Sequence, residues 1–267
     1  MKTIKKYVGN VRDLKVYRKA LLFRKVVYAI VKVFPEFEQE NLSDMLRKSS
    51  CSIVSNLAEG NTNFYYKKEY SHLNMALSKL AECRSTLDIA RMEGYISESL
   101  YTDVDLKAEE ILKMIIGMMN RIEHYLQYDD HNMKEIVEKF DKPLITISEL
   151  IEKTTTFNDF ILTIIEQYPP SEKNNQVDQI TRASKSILQN LGNLENTSYS
   201  QQLLSLNTSL GSISECKAFI DMAIMENFIT EEQYHRLDEI GGEILDLIIG
   251  IMNQVELKNN KVNKEVS

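Results

Sequence analysis

Residues 82–96 read ECRSTLDIARMEGYI, and residues 215–229 read ECKAFIDMAIMENFI. The two stretches lie 133 positions apart. They share an initial Glu-Cys, an aspartate, an alanine, a Met-Glu pair and a final isoleucine, all at the same spacing. The agreement extends without a gap over residues 73–123 and 206–256. Self-similarity of this length indicates that the chain contains two copies of one structural unit.

Each unit is predicted to fold as four helices. In its first segment, Val16, Ala20, Phe23 and Val27 keep the three-to-four spacing of a buried helix face. All four prolines stand at predicted helix boundaries, where the missing N–H costs little. The helices predicted for the first unit are residues 14–34, 40–58, 65–92 and 98–126. Long helices with short connections pack as antiparallel neighbours. The sequence therefore predicts an all-α chain of two tandem antiparallel up-and-down four-helix bundles.

The predicted domains differ in charge. We expect the first bundle over residues 1–128, a linker over 129–146, and a second, diverged bundle over 147–267 that ends in a short frayed tail. The net charge is −7, but residues 1–133 carry about 20 basic against about 18 acidic side chains, and the remainder about 12 against about 21. A basic half joined to an acidic half points to an anionic partner for the first bundle.

The composition excludes several classes of protein. With only 9 glycines and 4 prolines, an all-β chain or a loop-rich α/β enzyme is disfavoured, because turns and phosphate loops consume those residues. Three scattered cysteines do not make a disulfide framework. No apolar segment follows the basic N-terminus, and the most apolar run, residues 244–251, is far shorter than the roughly 20 residues of a membrane span. We therefore expect a soluble cytoplasmic protein without a membrane partner.

No motif in the sequence predicts catalysis. The chain has no GxGxxG, P-loop, GxSxG or HExxH pattern. Two Glu-x-x-His triplets, at residues 69–72 and 232–235, have the spacing of di-iron ligands in bundles, but they occupy non-equivalent positions in the two units. The sequence predicts a non-catalytic protein with no metal ion and no cofactor.

Basic residues cluster on the first two helices of the first unit and at the start of its third. Lysine and arginine neutralise phosphates and release counterions, so this cluster is a candidate binding face for RNA or DNA. The alternative is an ordinary solvated helix face. Tyr66 and Tyr70 lie beside the cluster and either stack on unpaired bases or pack onto the bundle. The candidate contacts are Lys15, Arg18, Lys19, Arg24, Lys25, Arg47, Lys48, Lys67 and Lys68.

The segment that ends the second helix carries a structural motif. Asn56 is expected to fix the helix register through a buried hydrogen bond, and Asn190 occupies the same place in the second unit, 134 positions on. Glu59 is expected to pair with a basic neighbour. Gly60 is predicted to cap the second helix, and Gly117, in the middle of the fourth helix, to permit a close helix contact.

Two helix starts are also predicted from their side chains. Ser97 is a good N-cap for the fourth helix of the first unit. Residues 230–233 read TEEQ, which is a capping box at the matching position of the second unit.

The first unit resembles a known bacterial family over residues 10–126. The resemblance rests on DLKVYRKA at 13–20, RKSSCSIVSNLAEG at 47–60, KKEY at 67–70 and EGYI at 93–96. These stretches are similar to four-helix bundle proteins encoded in 23S rRNA intervening sequences, which are related to the accessory variability determinant of diversity-generating retroelements. The resemblance implies an oligomer of bundles, commonly a five-membered ring. For the retroelement relative it implies binding of nucleic acid and of a reverse transcriptase, without catalysis. A tandem fusion departs from the usual single unit.

Two functional hypotheses remain open from the sequence. The first is a nucleic-acid-binding accessory protein, a homo-oligomer that uses the basic first bundle and serves a reverse transcriptase. The second is an oligomeric protein–protein interaction scaffold that binds no nucleic acid and whose basic half docks an acidic protein, such as the acidic half of another copy.

Overall fold

The structure, a computed structural model, describes residues 9–128, 146–192, 194 and 197–265. The chain divides into two compact units, unit 1 (Met1–Met133) and unit 2 (Lys134–Ser267). The described residues are 87% helical and contain eight α-helices and no strand. The predicted all-α fold of two four-helix units is confirmed. The predicted linker, with Pro143, falls almost entirely outside the described residues.

Unit 1 is a closed ring of four helices, in which each helix contacts the next and the fourth contacts the first. Two tyrosines of the third and fourth helices show that these run antiparallel. Tyr70 Oη donates to Glu123 Oε1 at 2.6 Å near one end, and Tyr101 Oη donates to Asp88 Oδ1 at 2.7 Å near the other. The helices are α1 (Lys15–Ile30), α2 (Leu42–Thr62), α3 (Tyr66–Met92) and α4 (Glu98–Tyr128).

Unit 2 has the same ring of contacts and repeats three polar contacts of unit 1. Tyr234 and Asp221 match Tyr101 and Asp88, Lys217 and Asp238 match Arg84 and Asp105, and Lys153 and Glu243 match Lys19 and Glu110. The duplication is therefore visible in side-chain geometry as well as in sequence. The helices of unit 2 are α5 (Ile147–Ile165), α6 (Asp178–Leu191), α7 (Tyr199–Met225) and α8 (Glu231–Glu265).

The three cysteines are buried in the cores of the units, and none of them forms a disulfide. Cys83 Sγ donates to Ser49 Oγ at 3.1 Å, which joins α3 to α2, and burial raises the pKa of this thiol to about 12. Cys83 is thus a neutral, buried side chain at any physiological pH.

The two helix starts predicted from their side chains are correct, and three of the four helix ends predicted for unit 1 differ from the structure. Leu100 N donates to Ser97 Oγ at 3.2 Å, and Thr230 and Gln233 exchange side-chain hydrogen bonds with each other's backbone N–H as a capping box requires. The first helix ends at Ile30, four residues earlier than predicted, and a short 3-10 turn over Val31–Val33 follows it. At the other end of the chain, α8 continues to Glu265.

The two glycine predictions were wrong. Gly60 does not cap α2, because the helix continues to Thr62. A Cβ at Gly60 would lie 3.1 Å from the Cβ of His72 on α3, so its lack of a side chain permits close approach of these two helices. Conversely, a Cβ at Gly117 would meet no atom within 4 Å, so the close contact predicted there does not exist among the described residues.

Candidate nucleic-acid interface

One face of α1 carries cations along its whole length. Lys15, Arg18 and Lys25 are exposed there, and Lys32 continues the face into the turn after the helix. At 100° per residue these positions lie within an arc of about 100°, and they span about 25 Å at 1.5 Å per residue. None of the four forms a salt bridge with any residue that the structure describes. We call these four cations, with the exposed Leu22 and Ala29 between them, the cationic stripe.

Lys32 was missed among the candidate contacts, although a sequence signal was present. It lies seven residues after Lys25 and fourteen after Arg18, which are two and four helical turns. The 3-10 turn preserves enough of the helical path to keep Lys32 exposed next to Val33. Extending the helical period past the end of the apolar pattern would have found it.

Two of the predicted contacts are buried, and the prediction was wrong for them. Arg24 has no exposed surface; its Nε donates to Cys51 Sγ at 3.3 Å, and its guanidinium stacks on the Tyr28 ring at 3.8 Å. Arg47 is 8% exposed and donates from Nη2 to the Gln39 carbonyl oxygen at 2.8 Å. Both side chains hold unit 1 together and are not available to a phosphate.

Two other predicted contacts have carboxylate partners. Lys19 Nζ lies 2.6 Å from Glu110 Oε2, a contact between the first and last helices that lowers the pKa of Glu110. Lys48 Nζ lies 2.8 Å from Asp44 Oδ2, one turn earlier on α2. A phosphate would have to compete with these carboxylates, so both lysines are poorer contacts than those of the cationic stripe.

Lys67 and Lys68 are exposed in the first turn of α3 and form no salt bridge with a described residue. Asn61 Nδ2 donates to the Gly9 carbonyl oxygen at 2.6 Å, so the end of α2 and the segment before α1 meet at this end of unit 1. The two lysines, which follow a few residues after α2, therefore belong to the end of the unit where the cationic stripe begins.

Tyr66 and Tyr70 pack onto the bundle, which is one of the two alternatives that the sequence left open. The Tyr66 ring lies 5.3 Å from the Tyr125 ring at a tilt of 33°. Tyr70 donates to Glu123, and this hydrogen bond raises the pKa of the tyrosine. Both rings are engaged by α4, which leaves phosphate contact as the main chemistry that this end of the unit offers.

Asn56 joins α2 to α3. Its Nδ2 donates to the Ser52 carbonyl oxygen at 2.8 Å, and its Oδ1 lies 3.2 Å from His72 Nδ1. Burial, and then the charge of Lys68, lowers the pKa of His72 to about 4, so the ring is neutral at pH 7. Since Asn56 Oδ1 can only accept, Nδ1 is the protonated ring nitrogen in this pair. Glu59 Oε2 lies 3.8 Å from the same nitrogen, so one basic neighbour of Glu59 is an uncharged histidine.

Asn190 occupies the same place on α6, but other side chains make the contact to the next helix. Its Nδ2 donates to the Ser186 carbonyl oxygen at 2.7 Å. The link to α7 runs through serine hydroxyls, because Ser212 Oγ donates to Ser186 Oγ at 2.9 Å. In both units the asparagine therefore donates to a carbonyl oxygen one turn earlier on its own helix. The side chains that join this helix to the next one differ between the units.

The described residues offer little else for ligand chemistry. Among them, no three histidine, cysteine, aspartate or glutamate side chains converge as metal ligands would. None of the described helices is long and apolar enough to cross a membrane. A depression of about 600 Å³ in unit 1 is open to solvent and lined by acidic and apolar side chains, among them Glu38, Glu93, Met45 and Ile89. It is unsuited to an anion, because its charged lining is acidic.

Fold and site together define a class: helical-bundle proteins with repeated four-helix units and a cationic helix face. The family model described as 23S rRNA-intervening sequence protein matches residues 12–117 and again residues 148–250. The chain belongs to this family, and both of its units match, including the acidic one. A search of curated proteins finds no match. A search of solved structures finds none either.

Proposed function

We propose that this protein is a non-catalytic accessory protein that binds RNA or DNA through the cationic stripe of unit 1. The observation that carries the proposal is the set Lys15, Arg18, Lys25 and Lys32: four exposed cations on one helix face, none in a salt bridge with a described residue. A cation without a salt-bridge partner does not have to break an ion pair within the protein when it binds a phosphate. The full free energy of counterion release is therefore available to binding.

The geometry supports backbone recognition more than base recognition. The stripe is about 25 Å long, which is the axial length of about seven phosphates on one strand of a duplex. Contacts of this kind carry no sequence information directly. Because Tyr66 and Tyr70 pack onto α4, stacking on unpaired bases does not enter the proposal. The proposal also includes assembly into a homo-oligomer and a reverse transcriptase as partner. These two parts rest on the resemblance of residues 10–126 alone.

The test is a salt titration of binding. Labelled duplex DNA, single-stranded DNA and structured RNA are titrated with protein between about 50 and about 200 mM salt. The stripe variant replaces Lys15, Arg18, Lys25 and Lys32 with glutamine. The control variant removes the same number of charges elsewhere in unit 1, at four lysines that each pair with a carboxylate on their own helix: Lys48, Lys79, Lys107 and Lys113.

The expected result is a specific change in slope. For duplex DNA, each lost phosphate contact reduces the slope of log affinity against log salt by about 0.9, so the stripe variant should lose up to about 3.6 in slope. The control variant should keep nearly the wild-type slope. Absence of binding at about 50 mM salt, or equal slopes for the two variants, would contradict the proposal. The scaffold hypothesis would then be favoured.

A further inference from the structure

The first helix of unit 2 carries the same stripe with its charges inverted. With the offset of 134, the four cations of the cationic stripe correspond to four carboxylates, and its two uncharged positions correspond to threonines. All six positions of unit 2 are exposed, as are all six in unit 1. The anionic stripe consists of Glu149, Glu152, Thr156, Asp159, Thr163 and Glu166.

The alignment of the two stripes is fixed by a conserved contact. Lys19 Nζ lies 2.6 Å from Glu110 on α4, and Lys153 Nζ lies 2.7 Å from Glu243 on α8. Because both helices keep this lysine on the side turned towards the last helix of the unit, the remaining positions of the two outer faces match one to one. The inversion is therefore confined to the outer face, while the inward contact keeps its charge.

Salt bridges within a unit do not account for the inversion. None of the four carboxylates of the anionic stripe forms a salt bridge with a described residue, just as none of the four cations does. A merely solvated face would tolerate mixed charges. Here the sign is uniform within each stripe and opposite between them, which is the pattern of two surfaces that recognise each other.

From this complementarity we propose that the anionic stripe of one copy docks on the cationic stripe of a second copy. A parallel alignment in register opposes all four cations to carboxylates, whereas an antiparallel alignment opposes at most three, because the charges sit at positions 1, 4, 11 and 18 of each stripe. Between the charged pairs, Leu22 and Ala29 would face Thr156 and Thr163.

Such a contact is heterologous, because different surfaces of the two copies meet. It is also small, so its association is weak and depends on charge, falling as salt screens the pairs. The docking does not depend on the proposed function. If the proposed function also holds, nucleic acid and a second copy compete for the cationic stripe, and this consequence rests on the proposed function.

The test is a charge swap followed by sedimentation velocity. One variant carries Lys15→Glu, Arg18→Glu, Lys25→Glu and Lys32→Glu; the other carries Glu149→Lys, Glu152→Lys, Asp159→Lys and Glu166→Lys. The wild type should associate with increasing concentration at low salt and dissociate as salt rises. Each variant alone should associate roughly tenfold more weakly or not at all, since both of its stripes have one sign. An equimolar mixture of the two variants should regain wild-type association.

Circular dichroism of each variant checks that the helices are retained, which the exposure of all eight positions leads us to expect. A wild type that remains a single species at every concentration would overturn the docking proposal. So would association that survives both reversals and high salt, which would place the interface on another face. Duplex DNA that binds the wild type without dissociating it would refute the competition alone. If the salt titration finds no nucleic-acid binding while the charge swap succeeds, the proposed function fails and the docking stands.

Discussion

Glu215 is expected to destabilise unit 2 as the pH rises. It lies between α6 and α7 beside a depression of about 200 Å³ lined by polar side chains. Burial raises the pKa of this carboxyl to about 7, and Arg182 offsets the effect only in part, because its guanidinium also pairs with Asp178 at 3.2 Å. In unit 1 the equivalent Glu82 has Lys79 Nζ at 2.6 Å, but unit 2 has Ser212 in place of that lysine.

The sign and size of the effect follow from linkage. The unfolded carboxyl ionises near pH 4.5, whereas the folded one holds its proton until about pH 7. The unfolded state therefore binds fewer protons over this interval, so the free energy of unfolding falls as the pH rises from 4.5 to 7. With these two pKa values, Glu215 alone should lower the free energy of unfolding of unit 2 by about 2–3 kcal/mol between pH 5 and pH 8.

The perturbation that isolates this effect is Glu215→Gln, which keeps the shape of the side chain and removes its charge. Hydrogen exchange of peptides from α6 and α7, corrected for intrinsic rates, reports the opening free energy of that helix pair. The variant should be more protected than the wild type by about 2–3 kcal/mol at pH 8, and the difference should shrink towards pH 5. Glu82→Gln is the matched control and should leave α6 and α7 unchanged. Equal pH dependence in wild type and Glu215→Gln would refute the reasoning.

Three further predictions concern unit 1. Gly117→Ala should stabilise the protein by about 1 kcal/mol, because alanine favours the helix and the added methyl group meets no atom within 4 Å. Gly60→Ala should destabilise it by about 1–3 kcal/mol, because the methyl group would lie 3.1 Å from His72 Cβ. The urea unfolding midpoints of the two glycine variants measure both effects. Equal effects would contradict the close approach of α2 and α3. The pKa of His72 in the folded protein is about 4, which is below its ordinary value of 6.5. Its contribution to the free energy of unfolding is therefore present above pH 6.5 and is lost as the pH falls, by about 3 kcal/mol at pH 4. His72→Gln should remove that part of the acid sensitivity, and an unchanged pH profile of the unfolding midpoint would disprove it.

The architecture was predictable because it depends on local patterns. Hydrophobic spacing and two capping motifs specify helices within a few residues, and the repeat specifies that the arrangement occurs twice. The main error in helix ends has a tertiary cause. Glycine is a common residue at the end of a helix, which is why Gly60 is predicted as a cap. In the structure α2 continues past Gly60, and the missing side chain permits the close approach of α3 at His72.

The candidate site was predictable only in part, for a physical reason. Charge composition located the basic helix, but arginine is so commonly exposed that a buried one is not anticipated. Arg24 stands four residues after Ala20 and three before Val27, on the buried face, so helical period outweighs residue type there. The position of Glu215 could not be predicted either, because its desolvation depends on how α6 packs against α7.

The salt bridge between Lys19 and Glu110 has a consequence for how such chains evolve. It joins the first helix of a unit to the last, and four alternating helices bring the chain back to the end of the unit where it began. A further unit can therefore be fused to an existing one without rethreading it, and the extra copy is then free to diverge on its outer face. For the same reason, joining the old termini of a unit and opening it at another loop should preserve every helix contact.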